Sequence, residues 1–259
     1  MQDLALPAFA ELQAPADWRR IDFLSDLHLS PDTPKTFEAL ARHLDETSAE
    51  AVFLLGDIFE VWIGDDSRIE PFEAQCVAML RAASAKRQLF FMVGNRDFLV
   101  GPEMLAACGM QALTDPTVLS AFGGRLLLSH GDALCLEDKP YQAFRAQSRN
   151  PAWQQQMLAQ PLPVRRAIAQ QMRAASKAAQ TKPELWAELD PDASAQWLKA
   201  AGASDLIHGH THRPMTHDLG DGLRRHVLSD WDFDGPVPRG DVLRLRQAGL
   251  RRIDLTVGD

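Results

Sequence analysis

Five short polar clusters in this 259-residue chain carry side chains able to hold a divalent cation. They are Ser25-Asp26-Leu27-His28, Gly56-Asp57, Gly94-Asn95-Arg96-Asp97, His130-Gly131-Asp132 and His208-Gly209-His210-Thr211-His212. The donors are carboxylate and amide oxygens and imidazole nitrogens without a thiolate, a set that suits Mn²⁺, Fe²⁺, Co²⁺ or Zn²⁺. Such ions polarise phosphoryl oxygens and make water nucleophilic near neutral pH. Taken singly each cluster is weak, because Asp-x-His or Gly-Asn is more often a turn or a helix cap. All five in one chain, each directly after an apolar run, make a joint signal. The glycines beside them allow close approach of backbone and ion. Manganese is the leading candidate.

The apolar runs are Ile21 to Leu24, Ala51 to Leu55, Leu89 to Val93, Leu126 to Leu128, and Leu206 to Ile207. Their length and composition predict buried strands. Between the first three lie stretches with helical spacing, Phe37, Leu40, Ala41, Leu44 and Phe72, Cys76, Met79, Leu80. Strand and helix in alternation predict an α/β layered sheet. Ligands of such sheets sit beyond the carboxyl ends of the strands, so all five loops converge in one crevice. Near the end, Asp241 to Arg246 and Arg251 to Val257, separated by Gln-Ala-Gly, predict a β-hairpin.

Residues 139–200 interrupt this scheme with a Gln-, Ala- and Arg-rich stretch in which Val164, Ile168 and Met172 recur every four residues. This reads as a helical insertion within a single domain spanning 1–259, preceded by an N-terminal extension over 1–19. From 139 to 182 the stretch carries eight basic residues and no acid. The ordinary reading of a basic run is a solvated helical face. The lack of a compensating acid favours an anion-facing surface instead.

Composition narrows the classes. With 46% hydrophobic and 24% charged residues the chain has ordinary globular make-up, far from the disordered corner. A net charge of −8 argues against a nucleic-acid partner. Three cysteines, widely spaced, suggest neither a disulfide framework nor a thiolate zinc site. The N-terminus does not read as a signal peptide, and nowhere do 18 apolar residues run together.

The pattern D-x-H, G-D, G-N, H and G-H-x-H over residues 26 to 210 resembles the calcineurin-like metallophosphoesterases. The resemblance implies a four-layered α/β/β/α sandwich with a two-metal site. Carried over, Asp26, His28 and His210 hold one ion, Asn95, His130 and His208 the other, and Asp57 bridges them. Two divalent ions exceed the charge of the two aspartates, so a phosphate is attracted and polarised. Their bridging hydroxide is the implied nucleophile.

Many members read G-N-H-[DE] where this chain reads Gly94-Asn95-Arg96-Asp97. Arginine does not donate a proton usefully, but it holds a phosphate through two parallel hydrogen bonds. A leaving phosphate monoester is a weak base needing no proton donor, so the exchange fits pyrophosphate cleavage. A salt bridge between Arg96 and Asp97 is the plainer alternative. The Gly94 to Phe98 run, Ser129 to Asp132, Glu137 to Arg145 and His208 to Pro214 are similar to the UDP-2,3-diacylglucosamine pyrophosphohydrolases of lipid A biosynthesis over about residues 20 to 235.

That family resemblance implies hydrolysis of UDP-2,3-diacylglucosamine to UMP and 2,3-diacylglucosamine 1-phosphate, with two Mn²⁺ ions and attack at the uridine-side phosphorus. It implies Asp57, Asn95, Arg96 and His130 as catalytic residues. It further implies substrate contacts from Asn95, Arg96, Asp138, Ser176, Gln180, Lys182 and His208. At two of these the chain departs from the pattern: Gln180 stands for an asparagine, and Lys182 lies one residue before the family lysine. Tyr141, Phe144, Trp153, Met157, Ile168 and Met172 either line an acyl groove or pack as core. His212 and Arg213 are candidates to orient a ligand. The location implied is cytoplasmic, peripheral on the inner membrane, with contact to anionic lipid and no obligate protein partner. The competing readings are a metallophosphoesterase for another phosphodiester or nucleotide, and a scaffold that has lost its metals.

Overall fold

The computed structural model describes residues 6–179 and 188–257, without the side chains of 175–179. Its layering follows from alternation along the central strands. In β3 (Ala51–Leu55), Val52 and Leu54 enter one apolar cluster while Ala51, Phe53 and Leu55 enter another. In β4 (Gln88–Met92), Leu89 and Phe91 part from Phe90 and Met92 in the same way. Successive side chains point to opposite faces, so a strand apolar throughout must be covered on both.

These strands lie between β2 (Ile21–Leu24) and β5 (Gln111–Leu113), all parallel. The hairpin of β11 (Asp241–Arg246) and β12 (Gly249–Asp254) completes the sheet beside β2. Its second strand starts at Gly249, earlier than expected, because Gly249 supplies a positive φ of 109° and pairs with Arg246 across a two-residue turn. Parallel neighbours require crossovers. Here α1 (Pro34–Glu46), α2 (Pro71–Ser84) and α3 (Pro102–Cys108) make them, each with proline in its first turn, where a missing N–H leaves no bond unmade. Leu40, Leu44, Cys76, Leu80 and Met104 bury against Leu24, Val52, Leu54 and Phe91.

The second sheet contains β1 (Ala10–Gln13), β6 (Thr117–Ala121), β7 (Gly124–Leu128), β8 (Asp205–His208), β9 (Thr216–Asp218) and β10 (Arg224–Val227), in the order β1-β6-β7-β8-β10-β9. Its inner face, with Leu119, Leu126, Leu128 and Ile207, meets Phe23, Phe53 and Phe90. Its outer face, with Val118, Leu127 and Leu206, is covered by Trp197 and Leu198 of α7 (Pro191–Ala201). Helices, sheet, sheet and helix give the four-layered α/β/β/α sandwich.

Part of the N-terminal stretch belongs to the fold, since β1 pairs in parallel with β6 and Trp18 is buried between the sheets. The 139–200 stretch divides. α4 (Lys139–Ser148), α5 (Pro151–Leu158) and α6 (Leu162–Ala179) precede the undescribed residues, and α7 is the outer layer of the second sheet. Trp153, Met157, Ile168 and Met172 pack onto the cluster beneath α1 to α3. These four therefore act as core.

Five of the eight basic residues in this stretch are compensated from outside it. Arg145 and Arg149 pair with Asp132, Arg165 with Asp66, Arg166 with Glu70 and Arg173 with Glu60. A count along the sequence misses these acids because the fold, not the spacing, brings them near. Arg165 is only 3% exposed, which is incompatible with an anion-facing role. Among the described residues, no helix is long and apolar enough to cross a membrane.

Candidate metal centre

The five polar clusters follow β2, β3, β4, β7 and β8, each at the carboxyl end of its strand. Seven described residues other than glycine hold positive φ, and five of them are Asp26, His28, Asp57, His210 and His212. This backbone region is costly for residues with a Cβ and persists only where the surroundings impose it. Hydrogen bonds between the loops impose it here. Asp26 N–H donates to Gly56 O at 3.0 Å and His28 N–H to Asp57 O at 3.0 Å, while His210 N–H donates to Asp26 Oδ2 at 3.0 Å. Arg96 N–H donates to Asp57 Oδ1 at 2.8 Å.

The side chains gather in two overlapping groups. Ligand atoms of Asp26, His28 and His212 lie within 4.8 Å of one another, as do those of Asp26, Asp57 and His130. Nε2 of His28 and Nε2 of His212 are 3.2 Å apart, and the latter is 3.3 Å from Asp26 Oδ1. On the other side, Asn95 Oδ1 is 3.0 Å from His130 Nε2 and 2.8 Å from His210 Nδ1. Two glycines make the closeness possible: a Cβ on Gly94 would stand 2.1 Å from Asp57 Oδ1, and one on Gly209 would stand 2.2 Å from Asp26 Oδ2.

The electrostatics ask for a cation. Asp26, Asp57, Asp97 and Asp132 are all buried within this region. Burial alone would lower His130, but Asp57, Asp132 and Asp26 outweigh it and raise the imidazole to about 9. Burial, reinforced by Asp57, pushes Asp97 up to about 6. His28 and His210 are lowered to about 4, chiefly by burial, which leaves them neutral and suited to ligation. No thiolate competes, since burial raises all three cysteines to about 12. Oxygen and imidazole donors around excess buried negative charge fit divalent cations.

All three histidines of the His-Gly-His-Thr-His block lie at the site. His208 is the last residue of β8 and fully buried; its Nδ1 lies 2.7 Å from Gly209 O, and its Nε2 meets no polar partner. Its ring stands against Gly131, next to His130, and it feels the charge of Asp26, so its unpartnered Nε2 suits a metal ligand. The His210 imidazole adjoins Asn95 and His130 while its N–H holds Asp26, and the His212 imidazole lies beside Asp26 and His28.

Of the expected substrate contacts, Asp138 stands at the start of α4, where it accepts from Tyr141 N–H at 3.0 Å. Ser176 lies on α6 with its side chain not described, and Gln180 and Lys182 lie outside the described residues. Asp97 accepts from the backbone N–H groups of Gly94 and Ile58 rather than pairing with Arg96. Sequence reasoning did not single out Asp132. It is buried beneath His130, takes the Tyr141 hydroxyl at 2.6 Å, and binds α4 to the site through Arg145 and Arg149. The Tyr141 ring lies 5.3 Å from that of His210.

The calcineurin-like phosphoesterase family model matches residues 19–214. A Chromobacterium violaceum protein named UDP-2,3-diacylglucosamine hydrolase is 45% identical, covering 91% of this chain and 98% of its own. Proteins of the same name from Bordetella pertussis (45% identical, 89% of this chain and 93% of that one) and Xanthomonas oryzae (43%, 88% and 96%) match similarly. This chain belongs to the calcineurin-like phosphoesterases and, within them, to the family of these UDP-2,3-diacylglucosamine hydrolases.

Proposed function

We propose that this protein is a metal-dependent hydrolase of UDP-2,3-diacylglucosamine that breaks the pyrophosphate to give UMP and 2,3-diacylglucosamine 1-phosphate. The observation that carries the reading is the meeting of Asp26, His28, Asp57, Asn95, His130, His208 and His210 at the carboxyl ends of the strands, in a chain so similar to relatives of that name. Asp26, His28, Asp57 and His210 would hold one divalent ion, and Asp57, Asn95, His130 and His208 the second, with His212 beside the first. Mn²⁺ is the ion we assign, on the strength of the oxygen and imidazole donors. When bound, such ions polarise phosphate oxygens and lower the pKa of water.

The chain's own residues supply the rest. Arg96 follows Asn95 in the loop whose N–H holds Asp57, which puts a permanent cation beside the metal ligands. Its guanidinium would grip the pyrophosphate and keep the leaving phosphate aligned opposite the attacking oxygen. Because that leaving group is a weak base, no acid is required at this position. Ser176, Gln180 and Lys182 are assigned to the glucosamine phosphate.

We place the protein peripherally on the cytoplasmic face of the inner membrane, where a lipid substrate is met. Five paired arginines weaken an electrostatic docking mechanism. Exposed Val61, Ile69, Leu158 and Val164 favour an apolar one, since Leu158 packs over Gly64 in the segment that carries Val61 and Ile69.

The test incubates metal-stripped protein with UDP-2,3-diacylglucosamine, with and without Mn²⁺, beside Asp57→Ala. Manganese-dependent release of both UMP and the lipid phosphate, lost in the variant, is expected. Activity confined to a generic phosphodiester would overturn the substrate.

A further inference from the structure

One carboxylate ties the first helix of the insertion to two of the loops that carry the site. Asp132 is wholly buried, two residues after His130. Its Oδ2 takes the Tyr141 hydroxyl at 2.6 Å and faces Arg145 Nε at 3.1 Å and Arg149 Nη2 at 3.5 Å. These three recur every four residues along α4 and its C-cap, so one stripe of the helix meets one oxygen. The same stripe is bound to backbone. Gln142 Nε2 donates to Asp132 O at 2.8 Å and to Cys135 O at 3.0 Å, while Arg149 Nη2 donates to Gly94 O at 2.9 Å and Val93 O at 3.3 Å.

Gly94 opens the loop of Asn95 and Arg96, and that loop is held from two sides. From within, Asp97 takes Gly94 N–H at 2.7 Å and Ile58 N–H at 2.8 Å. From without, Arg149 meets two carbonyls that lie past Met92 and Leu113, the last register pair of β4 and β5. An arginine of the insertion thus does at the end of β4 what a neighbouring strand does along it.

We infer that Asp132 is a positioning residue for the reaction, setting the place of Asn95 and Arg96 through Arg149 and the seat of α4. Two guanidinium groups one helical turn apart repel each other, and a partly buried cation without a counter-charge is costly. Asp132 offsets both, and of the carboxylates acting on Arg145 it is stronger than Asp115. Without its charge the two arginines face a buried site that no longer attracts them, and Arg149 withdraws from Gly94. Tyr141, whose ring lies 5.3 Å from that of His210, loses its acceptor at the same time. The grip of Arg96 on the pyrophosphate is therefore tied to the seating of a helix that Arg96 itself need not touch. This inference rests on the hydrolase reading above and deepens it.

The experiment compares wild type, Asp132→Asn and Arg149→Met, each with and without Arg96→Ala, by steady-state kinetics on UDP-2,3-diacylglucosamine with Mn²⁺. Metal content and amide hydrogen exchange are measured on the same samples. A small misplacement of reacting groups costs up to about 10²-fold, so Asp132→Asn should lower kcat to that extent with both ions retained. Exchange should quicken over residues 93–97 and 139–148 and stay unchanged in β3 and β6. Groups acting as one network are not additive, so the loss caused by Arg96→Ala should shrink about 10-fold in either background. A merely structural role, which reduces the amount of folded enzyme, would leave that loss at its wild-type size. Should Asp132→Asn not fold, Arg149→Met carries the same comparison, since it removes only the link to Gly94. An undiminished Arg96→Ala loss, unaltered kinetics, or departure of an ion in Asp132→Asn would overturn the inference and leave the hydrolase reading intact. A wild type that does not turn over this substrate would overturn both.

Discussion

His28 and His212, 184 residues apart, bring their Nε2 atoms within 3.2 Å, whereas His208 stops inside β8 with its own Nε2 meeting no polar partner. A buried imidazole nitrogen without a protein partner is a donor kept for an ion, whereas His212 already meets His28 and Asp26. His208→Leu keeps the buried volume, should leave one ion per chain instead of two and should abolish turnover. His212→Ala should weaken one ion by about 10- to 100-fold, as loss of an outer partner does. Metal content after dialysis separates the two, and the reverse pattern would put His212 in place of His208 among the ligands.

The strand-ended clusters were legible because a buried parallel strand is apolar throughout and its loop is polar at once, so Leu24 to Asp26 and Leu55 to Asp57 mark their own boundaries. The place of His212 beside His28 and Asp26 was not, since it joins loops 184 residues apart in the chain. Long-range capping was also hidden. Thr33 stands at the start of α1 without a side-chain cap, and Asp234 accepts from Lys35 N–H and Thr36 N–H instead. Asp65 likewise accepts from Gly101, Glu103 and Met104 at the start of α3. Periodicity reports neighbours along the chain, and these partners are neighbours only in the fold.

Arg96 separates phosphate gripping from metal holding. Arg96→Ala should lower kcat/KM by about 10²- to 10³-fold, in line with loss of one preorganised charge stabiliser, while both ions stay bound. Arg96→Lys should recover only part of this, because an ammonium lacks the planar fork. Steady-state kinetics with metal analysis of the same samples decide it. Loss of metal in Arg96→Ala would assign the residue to the metal centre instead.

Charge pairing on α4 to α6 changes what vesicle binding should look like. With Arg145, Arg149, Arg165, Arg166 and Arg173 engaged by acids, association with anionic vesicles should persist as salt shortens the Debye length to about 3 Å. Leu158→Glu should weaken it and leave turnover of detergent-dispersed substrate unchanged. Sedimentation across a salt series measures both, and binding that vanishes with salt would return the role to the basic face.

Asp22 and Arg244 are register partners of β2 and β11, and the carboxylate is fully buried. Arg244 Nε and Nη2 bind it at 2.6 and 2.8 Å, Thr47 Oγ1 donates at 2.6 Å, and His43 Nε2 lies 3.2 Å away. Burial would raise its pKa, but Arg244, His43 and Thr47 prevail and hold it below the usual carboxylate range. A carboxyl depressed in the folded state contributes stability in full above its unfolded value of about 3.9, and that contribution is lost as pH falls below it. Asp22→Asn leaves the partly buried Arg244 without its counter-charge and should cost about 3 kcal/mol at neutral pH. Urea unfolding at pH 7, 4.5 and 3 should therefore show the gap between wild type and variant beginning to narrow at pH 3, as acid protonates this carboxyl in the unfolded chain while the folded one stays ionised. A gap that stays constant down to pH 3 would mean that packing at this position, rather than the ion pair, holds the hairpin to the sheet.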